Sequence, residues 1–269
     1  LEAAPATRGP RLLGVIDSHT HLFLCEAAEE RLVDAAREAG VGRMLNVGLG
    51  SDSNPTAIAQ AERHAEVFAT VGSHPTSAGE FGDELEAEIR RLAEHEKVRA
   101  IGETGIDHYR ETATRAEQRR AFEAQVDIAR ERGLPVVIHA RDRDGETTAT
   151  DEVFEILDAR ADGVAVILHC FLAPWRVQDA IERGWHCSFS GIVTYPKADD
   201  LREAAAALPE ELLLVETDAP YLAPQPVRGK PNEPAHVIAT ARAVAEVRGE
   251  TYEQLERTVE ANARALFQW

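Results

Sequence analysis

His19 and His21 stand two residues apart at the end of the apolar run Leu12-Leu13-Gly14-Val15-Ile16-Asp17-Ser18. In an extended segment, residues i and i+2 face the same side, so both imidazoles reach one point. Neutral imidazole is the commonest protein ligand for transition metals. Other ionisable residues stand in the same relation to short apolar runs downstream. They are His74 in Gly72-Ser73-His74, Glu103 in Gly102-Glu103-Thr104-Gly105, His139 in Ile138-His139-Ala140-Arg141, His169 in Leu168-His169-Cys170, and Glu216 and Asp218 in Val215-Glu216-Thr217-Asp218. Ionisable groups directly after Val, Ile or Leu are costly to bury without partners. Gathered in one place, they could partner each other through a cation.

Positioning these groups requires a scaffold that brings many strand ends together. Short stretches near 12–17, 41–48, 66–72, 98–103, 134–139, 163–169, 185–190 and 211–217 are apolar and often rich in Val, Ile or Leu, as buried parallel strands are. Between them lie charged segments with helical spacing, such as 26–39, 83–96, 115–132, 151–160 and 176–183, and a last helix is expected over 251–267. Gly40, Gly133, Gly163 and Gly184 follow helical runs, where a left-handed cap favours glycine. Eight strands alternating with helices predict an α/β fold, a single (β/α)8 TIM barrel. An open doubly wound sheet is the runner-up, and it is disfavoured because no Gly-x-Gly-x-x-Gly follows the first strand. The expected organisation is a disordered N-terminal segment at 1–10 and one barrel over 11–269. In such a barrel the active site gathers at the C-terminal ends of the strands, where these ionisable residues fall.

Composition narrows the function classes. The chain has 269 residues, 44% hydrophobic, and carries a net charge of −18. A protein that grips a long duplex by its backbone usually carries a basic face, so any contact with nucleic acid should be short and metal-assisted. No apolar run approaches the roughly 18 residues of a membrane span, and Leu1–Pro10 lacks the pattern of a signal peptide. Three cysteines, Cys25, Cys170 and Cys187, show no Cys-x-x-Cys spacing, which disfavours a disulfide scaffold or a zinc knuckle. A cytoplasmic protein with reduced thiols and no membrane partner is expected, and a monomer is compatible with the sequence.

Four imidazoles and two carboxylates exceed the needs of one tetrahedral zinc. They suit two divalent ions bridged by a carboxylate. Glu103 is the natural bridge, because its strand lies between the groups of the first and eighth strands and those of the fifth and sixth. One ion would take His19, His21, Glu103 and Asp218; the other would take Glu103, His139 and His169. Zinc, manganese or nickel fit the histidines, and the carboxylates admit magnesium. Water held there would lose its proton near neutral pH.

The order His-x-His, Gly-Glu-Thr-Gly-Ile-Asp, His-x-Arg, His-Cys-Phe, Ser-Phe-Ser-Gly, Glu-Thr-Asp-x-Pro-Tyr-Leu-x-Pro and Arg-Gly-Lys-x-Asn-Glu-Pro resembles the TatD family of metal-dependent deoxyribonucleases, within the amidohydrolase superfamily. The resemblance runs from about Val15 to the C-terminal helix. It implies a two-metal barrel hydrolase that cleaves phosphodiester bonds at DNA ends, often from the 3′ end, with DNA ends or short single-stranded DNA as substrate. Carried over by motif, its metal ligands fall on His19, His21, Glu103, His139, His169 and Asp218. Two departures stand out. After Gly-Ile-Asp the chain reads His108-Tyr109-Arg110, and after His169-Cys170-Phe171 it has Leu172-Ala173-Pro174-Trp175 where the family commonly has Ser-Gly. The second bears on the rim above the sixth strand and on substrate preference.

Asp218 and Glu103 are the expected catalytic carboxylates, with Asp218 handling the proton. His74, Arg141, Tyr221, Arg228 and Lys230 are candidate substrate contacts. Arginine suits bidentate phosphate binding, and Arg228 and Lys230 lie in a Pro- and Gly-rich segment after the eighth strand, where barrels often bind phosphate. For each, a rim salt bridge or a solvated loop is the bland alternative. Glu216 reads as a residue that orients a ligand. His64, His95, His186 and His236 read as structural. The same metals would also serve an amide, ester or lactone hydrolase, including removal of D-aminoacyl groups from tRNA, or a non-catalytic metal-dependent binding module.

Overall fold

The computed structural model describes residues 14–110 and 112–269. The expectation for residues 1–10 lies outside the described residues. Eight parallel strands follow one another in chain order around a single sheet: β1 (Val15–Thr20), β2 (Val41–Val47), β3 (Val67–Val71), β4 (Val98–Asp107), β5 (Val136–Arg141), β6 (Val166–Leu168), β7 (His186–Phe189) and β8 (Leu213–Val215). Between successive strands run α1 (Glu29–Ala39), α2 (Ser53–Arg63), α3 (Asp83–Leu92), α4 (Arg115–Arg132), α5 (Thr148–Arg160), α6 (Val177–Arg183) and α7 (Asp199–Ala207). Two helices, α8 (Val237–Arg248) and α9 (Tyr252–Phe267), complete the outer ring.

The ring nearly closes where β1 meets the chain just beyond β8. Thr20 and Ala219 form a parallel bridge, the His21 amide donates to Ala219 O at 2.8 Å, and the Asp218 amide donates to His19 O at 2.9 Å. The expected TIM barrel is therefore the observed fold. Its strands are apolar on both faces because both are covered, by the barrel interior and by the helix ring. Val15, Ile16, Met44, Leu45, Val67, Ile101, Ile138 and Leu214 are all fully buried.

Strand boundaries moved where polar side chains found partners. β1 runs through Thr20 rather than stopping at 17, so His19 lies within the strand. β4 continues to Asp107 rather than ending at 103. Gly40, Gly133 and Gly184 are the left-handed C-caps of α1, α4 and α6. Gly163 also has positive φ but follows Ala161, the C-cap of α5. No helix among the described residues is long and apolar enough to cross a membrane.

Helix α4 shows how the outer ring aims the site. It starts with a capping box, Thr114 with Glu117, which satisfies amides left free at a helix N-terminus. Its inner face buries Ala121, Phe122, Val126 and Ala129, and carries two buried glutamines. Gln125 accepts from the Ser73 amide at 2.7 Å and donates to Ser73 O and to Thr104 Oγ1. Gln118 accepts from the Asp107 amide at 2.8 Å and donates to Asp107 O. The segment before His74 and the end of β4 are thus tied to one helix.

Candidate metal centre

Glu103 sits at the centre of the C-terminal mouth of the barrel, 3% exposed. Its neighbours bring it there. Gly102 and Gly105 have φ of 129° and 143°, and a Cβ at Gly102 would lie 2.5 Å from Val137 O, while one at Gly105 would overlap His139 O. Glycine alone permits this backbone approach of β4 to β5.

The two oxygens of Glu103 face different groups. Oε2 lies 3.2 Å from His19 Nε2 and 3.8 Å from His21 Nε2. Asp218 Oδ1 completes that side, 3.5 Å from His21 Nε2 and 3.9 Å from His19 Nε2. Oε1 lies 2.7 Å from His139 Nδ1, 3.2 Å from His169 Nε2 and 3.4 Å from His74 Nε2. All six residues named from the strand ends are therefore brought together, with Glu103 between two sets.

The hydrogen bonds behind the rings decide which nitrogens carry lone pairs. His21 Nδ1 lies 2.8 Å from Val47 O, which can only accept, so Nδ1 holds the proton and Nε2 presents its lone pair to the site. His169 Nδ1 likewise donates to Glu216 Oε1 at 3.0 Å, and His139 Nε2 to Asp107 Oδ2 at 3.2 Å. With the rings neutral, three imidazole lone pairs point at carboxylate oxygens, acceptor against acceptor, a clash that a cation there relieves, be it a proton or a metal ion. The donor set of imidazoles and carboxylates fits divalent metal ions. His19, whose Nδ1 has no partner among the described residues, stacks on His169 at 3.7 Å between centroids.

Electrostatics follow the same logic. Burial alone would raise the Glu103 carboxyl, but His169, His74 and His19 and the hydrogen bond with His139 hold it well below the usual carboxylate range. Burial would lower His169, yet Glu216 and Glu103 drive it well above the ordinary imidazole value. His139 and His21 are also raised, against burial, by Asp107 and Glu103 in one case and by Asp218 and Glu103 in the other. These rings attract positive charge. Asp218 is lowered despite burial, by its hydrogen bond with His21 and the charges of His169 and His19, so it is an ionised carboxylate.

His74 differs from the other three. Its Nδ1 accepts from the Thr76 amide at 3.1 Å, which leaves the proton of the neutral ring on Nε2. It therefore presents a donor, not a lone pair, towards Glu103. His74 lines one cleft of about 260 Å³ together with Arg141 and Tyr221, and with His21, Glu103, His139, His169 and Asp218. Arg228 and Lys230 do not line it; both are exposed, and Arg228 lies over the Tyr195 ring at 4.1 Å.

Residues that sequence reasoning passed over complete the picture. Asp107, named there only as part of a motif, backs His139 and accepts the amides of Tyr109 and Arg110 at 2.8 Å. Arg110 lines the cleft beside Arg141, and neither guanidinium is paired with a described carboxylate. Asp17 clamps the barrel seam, accepting from the Thr217 amide at 2.8 Å and from Thr217 Oγ1 at 2.6 Å. Burial pushes Asp17 up to about 8, against those hydrogen bonds and with the help of Glu216. Asn232 donates to Thr217 O at 2.8 Å and to Tyr221 O at 2.6 Å, fixing the loop that carries Asp218. For Asp17 the available signal was an acid two residues before a predicted ligand at the end of an apolar run; Asn232 offered only its place in the Arg-Gly-Lys-x-Asn-Glu-Pro motif. Arg110 carried none, because a lone loop arginine is ordinary.

Comparison with known proteins agrees with this geometry. The family model for TatD related DNase matches residues 16–268. A Mycobacterium tuberculosis protein described as an uncharacterised metal-dependent hydrolase, TatD, is 38% identical over 263 residues, covering 94% of this chain and 97% of its own. A Citrobacter koseri protein named 3′-5′ ssDNA/RNA exonuclease TatD is 37% identical over 243 residues, covering 88% and 91%. Among solved structures, the TatD homologue YjjV of Escherichia coli K12 superposes with a TM-score of 0.87 at 25% identity, covering 96% of this chain and 99% of that one.

Proposed function

Given that the chain belongs to the TatD related DNase family of metal-dependent hydrolases, we propose that it is a two-metal phosphodiesterase that removes nucleotides from the 3′ ends of single-stranded DNA. The observation that carries this reading is Glu103, whose Oε2 faces His19 and His21 while its Oε1 faces His139 and His169. His19, His21, Glu103 and Asp218 would hold one divalent ion; Glu103, His139 and His169 would hold the other. When bound, such a pair supplies Lewis acidity and a water that is acidic near neutral pH.

The chain's own groups do the rest. Asp218 is ionised and lines the cleft, so it can take the proton of the attacking water and return it to the leaving oxygen. His74 directs an N–H into the cleft, suited to a phosphoryl oxygen. Arg141 and Arg110, free of described carboxylate partners, suit the negative charge of a phosphodiester. Glu216 and Asp107 orient His169 and His139. Tyr221 lines the mouth beside them. The name of the Citrobacter koseri relative supports the polarity and the single-stranded substrate.

The test is direct. Metal-stripped protein is given one divalent metal at a time, together with 3′-labelled single-stranded DNA, a nicked duplex or an aminoacyl ester. Stepwise release of nucleotides from the single strand is expected. Hydrolysis of the ester alone would overturn the phosphodiesterase reading and leave a metal-dependent carbonyl hydrolase.

A further inference from the structure

Among the described residues, the exposed large apolar side chains are Leu24, Tyr109, Trp175 and Tyr221, at 39%, 52%, 53% and 48% exposure. All four stand on segments that leave the C-terminal ends of strands, after β1, β4, β6 and β8, around the mouth that holds the cleft. The other two tryptophans are packed away: Trp185 against Phe154, and Trp269 against Phe68 and Phe267. Exposed apolar area gathered on one face marks a binding surface.

Cations accompany these rings. The Arg141 guanidinium lies 4.5 Å from the centroid of Tyr109, and Arg110 follows Tyr109 in the chain and lines the cleft. Tyr221 lines the same cleft, 6.5 Å between centroids from His21. Trp175 lies three residues after Leu172, itself a cleft residue, on a short turn, Pro174–Arg176. That turn is pinned: Arg176 bonds Asp179 at 3.0 Å and lies 4.3 Å over the Phe154 ring. A fixed turn presents its ring at low entropic cost to a ligand.

We propose that Tyr109, Trp175 and Tyr221 are stacking platforms for the bases of a single strand whose terminal phosphodiester enters between Arg110 and Arg141. The proposal rests on the phosphodiesterase reading and specifies what that site recognises beyond the scissile bond. π-Faces flanked by guanidinium groups fit a single-stranded nucleic acid, because every base offers a stacking face and every linkage an anion. A duplex offers the same phosphates but cannot stack on the rings without fraying, since its bases are already stacked and paired. The anionic chain, with a net charge of −18, gains little from a second anionic surface such as a membrane, so the local match of rings and arginines selects the ligand.

The experiment uses the metal-loaded protein and three substrates: a short oligothymidylate, the same strand with abasic sites just upstream of the 3′ linkage, and bis(p-nitrophenyl) phosphate. Trp175→Ala and Tyr109→Ala are expected to lower the ratio of kcat/KM on the oligonucleotide to that on the small diester roughly tenfold, mostly through KM. Phe at either position should restore the ratio and Leu should not, because Leu restores area without a π-face. Wild type should disfavour the abasic strand by a similar factor, a comparison that needs no variant, and the alanine variants should lose that discrimination. Unchanged ratios with efficient cleavage of the oligonucleotide would overturn the stacking proposal and leave the phosphodiesterase reading intact. Failure to cleave either phosphodiester would overturn both.

Discussion

On the β1–β8 side of Glu103, His21 is backed by a backbone carbonyl and His19 has no described partner behind it. On the β5–β6 side both imidazoles are backed by carboxylates, His139 by Asp107 and His169 by Glu216. Negative charge is thus placed differently on the two sides. The first puts it at the point of contact, as Asp218; the second hides it behind the rings. A carboxylate behind an imidazole makes that ring a stronger ligand and fixes its orientation. A carboxylate at the point of contact stays available to substrate and solvent, and Asp218 keeps 14% of its side chain exposed. On the proposed two-metal reading, the arrangement would give firmer retention of its ion to the β5–β6 side and proton handling to Asp218 on the other.

Glu103 belongs to both sides, so its loss should have the largest effect. Glu103→Gln keeps the shape but removes the charge that both sets of imidazoles face. The expected drop in kcat/KM is about a thousandfold, equivalent to roughly 4 kcal/mol in the barrier. Metal content by mass spectrometry should fall below two ions per chain. Near-normal turnover with full metal content would break the bridging role.

The two sides should then separate under milder changes. Asp107→Asn and Glu216→Gln weaken ligands from behind, and such changes typically cost about 10–100-fold in metal affinity or activity. Activity in both variants should return as free metal is raised. Asp218→Asn acts at the point of contact, so excess metal should restore binding without restoring kcat. If metal rescues all three equally, the division of labour between the sides is wrong.

Much of this centre was legible in the sequence for a simple reason. Parallel strands buried on both faces are apolar runs, and an ionisable residue at the end of such a run stands out. His19, His21, Glu103, His139, His169 and Asp218 all announced themselves in this way. The extension of β4 was not legible, because the apolar run stops at Ile101, whereas Gly102 and Gly105 allow β4 to press against β5 as far as Asp107. Helix α2 drew no expectation because it buries Asn54 and Gln60, which hydrogen-bond Gly72 O and Asn46 and so interrupt the apolar stripe. In α7 and α8, runs of alanine blur the contrast between buried and exposed faces. Of the rim aromatics Tyr221 was named as a substrate contact, but the role of Tyr109 and Trp175 was silent for the opposite reason: nothing in a loop sequence says that rings from several strand ends share one face.

Metal removal tests whether retention also stabilises the fold. The hydrophobic core extends through all eight strands and the surrounding helices, so the barrel should remain folded in chelator. The expected loss is only the linkage contribution, about 2.7 kcal/mol per ion at free metal a hundredfold above Kd. Thermal melts with and without chelator read this directly. If a single metal equivalent restores most of the lost Tm, the side that retains it can be assigned by repeating the melt with Glu216→Gln. A chelated protein already unfolded at room temperature would make the centre a structural element.

Cys170 offers the smallest expected effect. It follows His169, has a φ of 42° and lines the cleft, so a covalent mechanism would turn to it first. A thiol nucleophile needs a base within hydrogen-bond reach. The adjacent imidazole is already committed, with Nδ1 donating to Glu216 and Nε2 facing Glu103. The sulfur instead lies 3.4 Å from Ser190 Oγ, and the Cys170 amide donates to Glu216 at 2.8 Å, a backbone bond that serine makes equally well. Cys170→Ser retains the backbone contact and a polar neighbour for Ser190, so kcat should stay within about twofold of wild type, well under 1 kcal/mol in barrier. Loss of turnover in this variant with both ions still bound would shift the chemistry from the β1–β8 side to the thiol. It would replace hydrolysis by water with a covalent intermediate, and the contrast between the two sides of Glu103 would then describe metal binding alone.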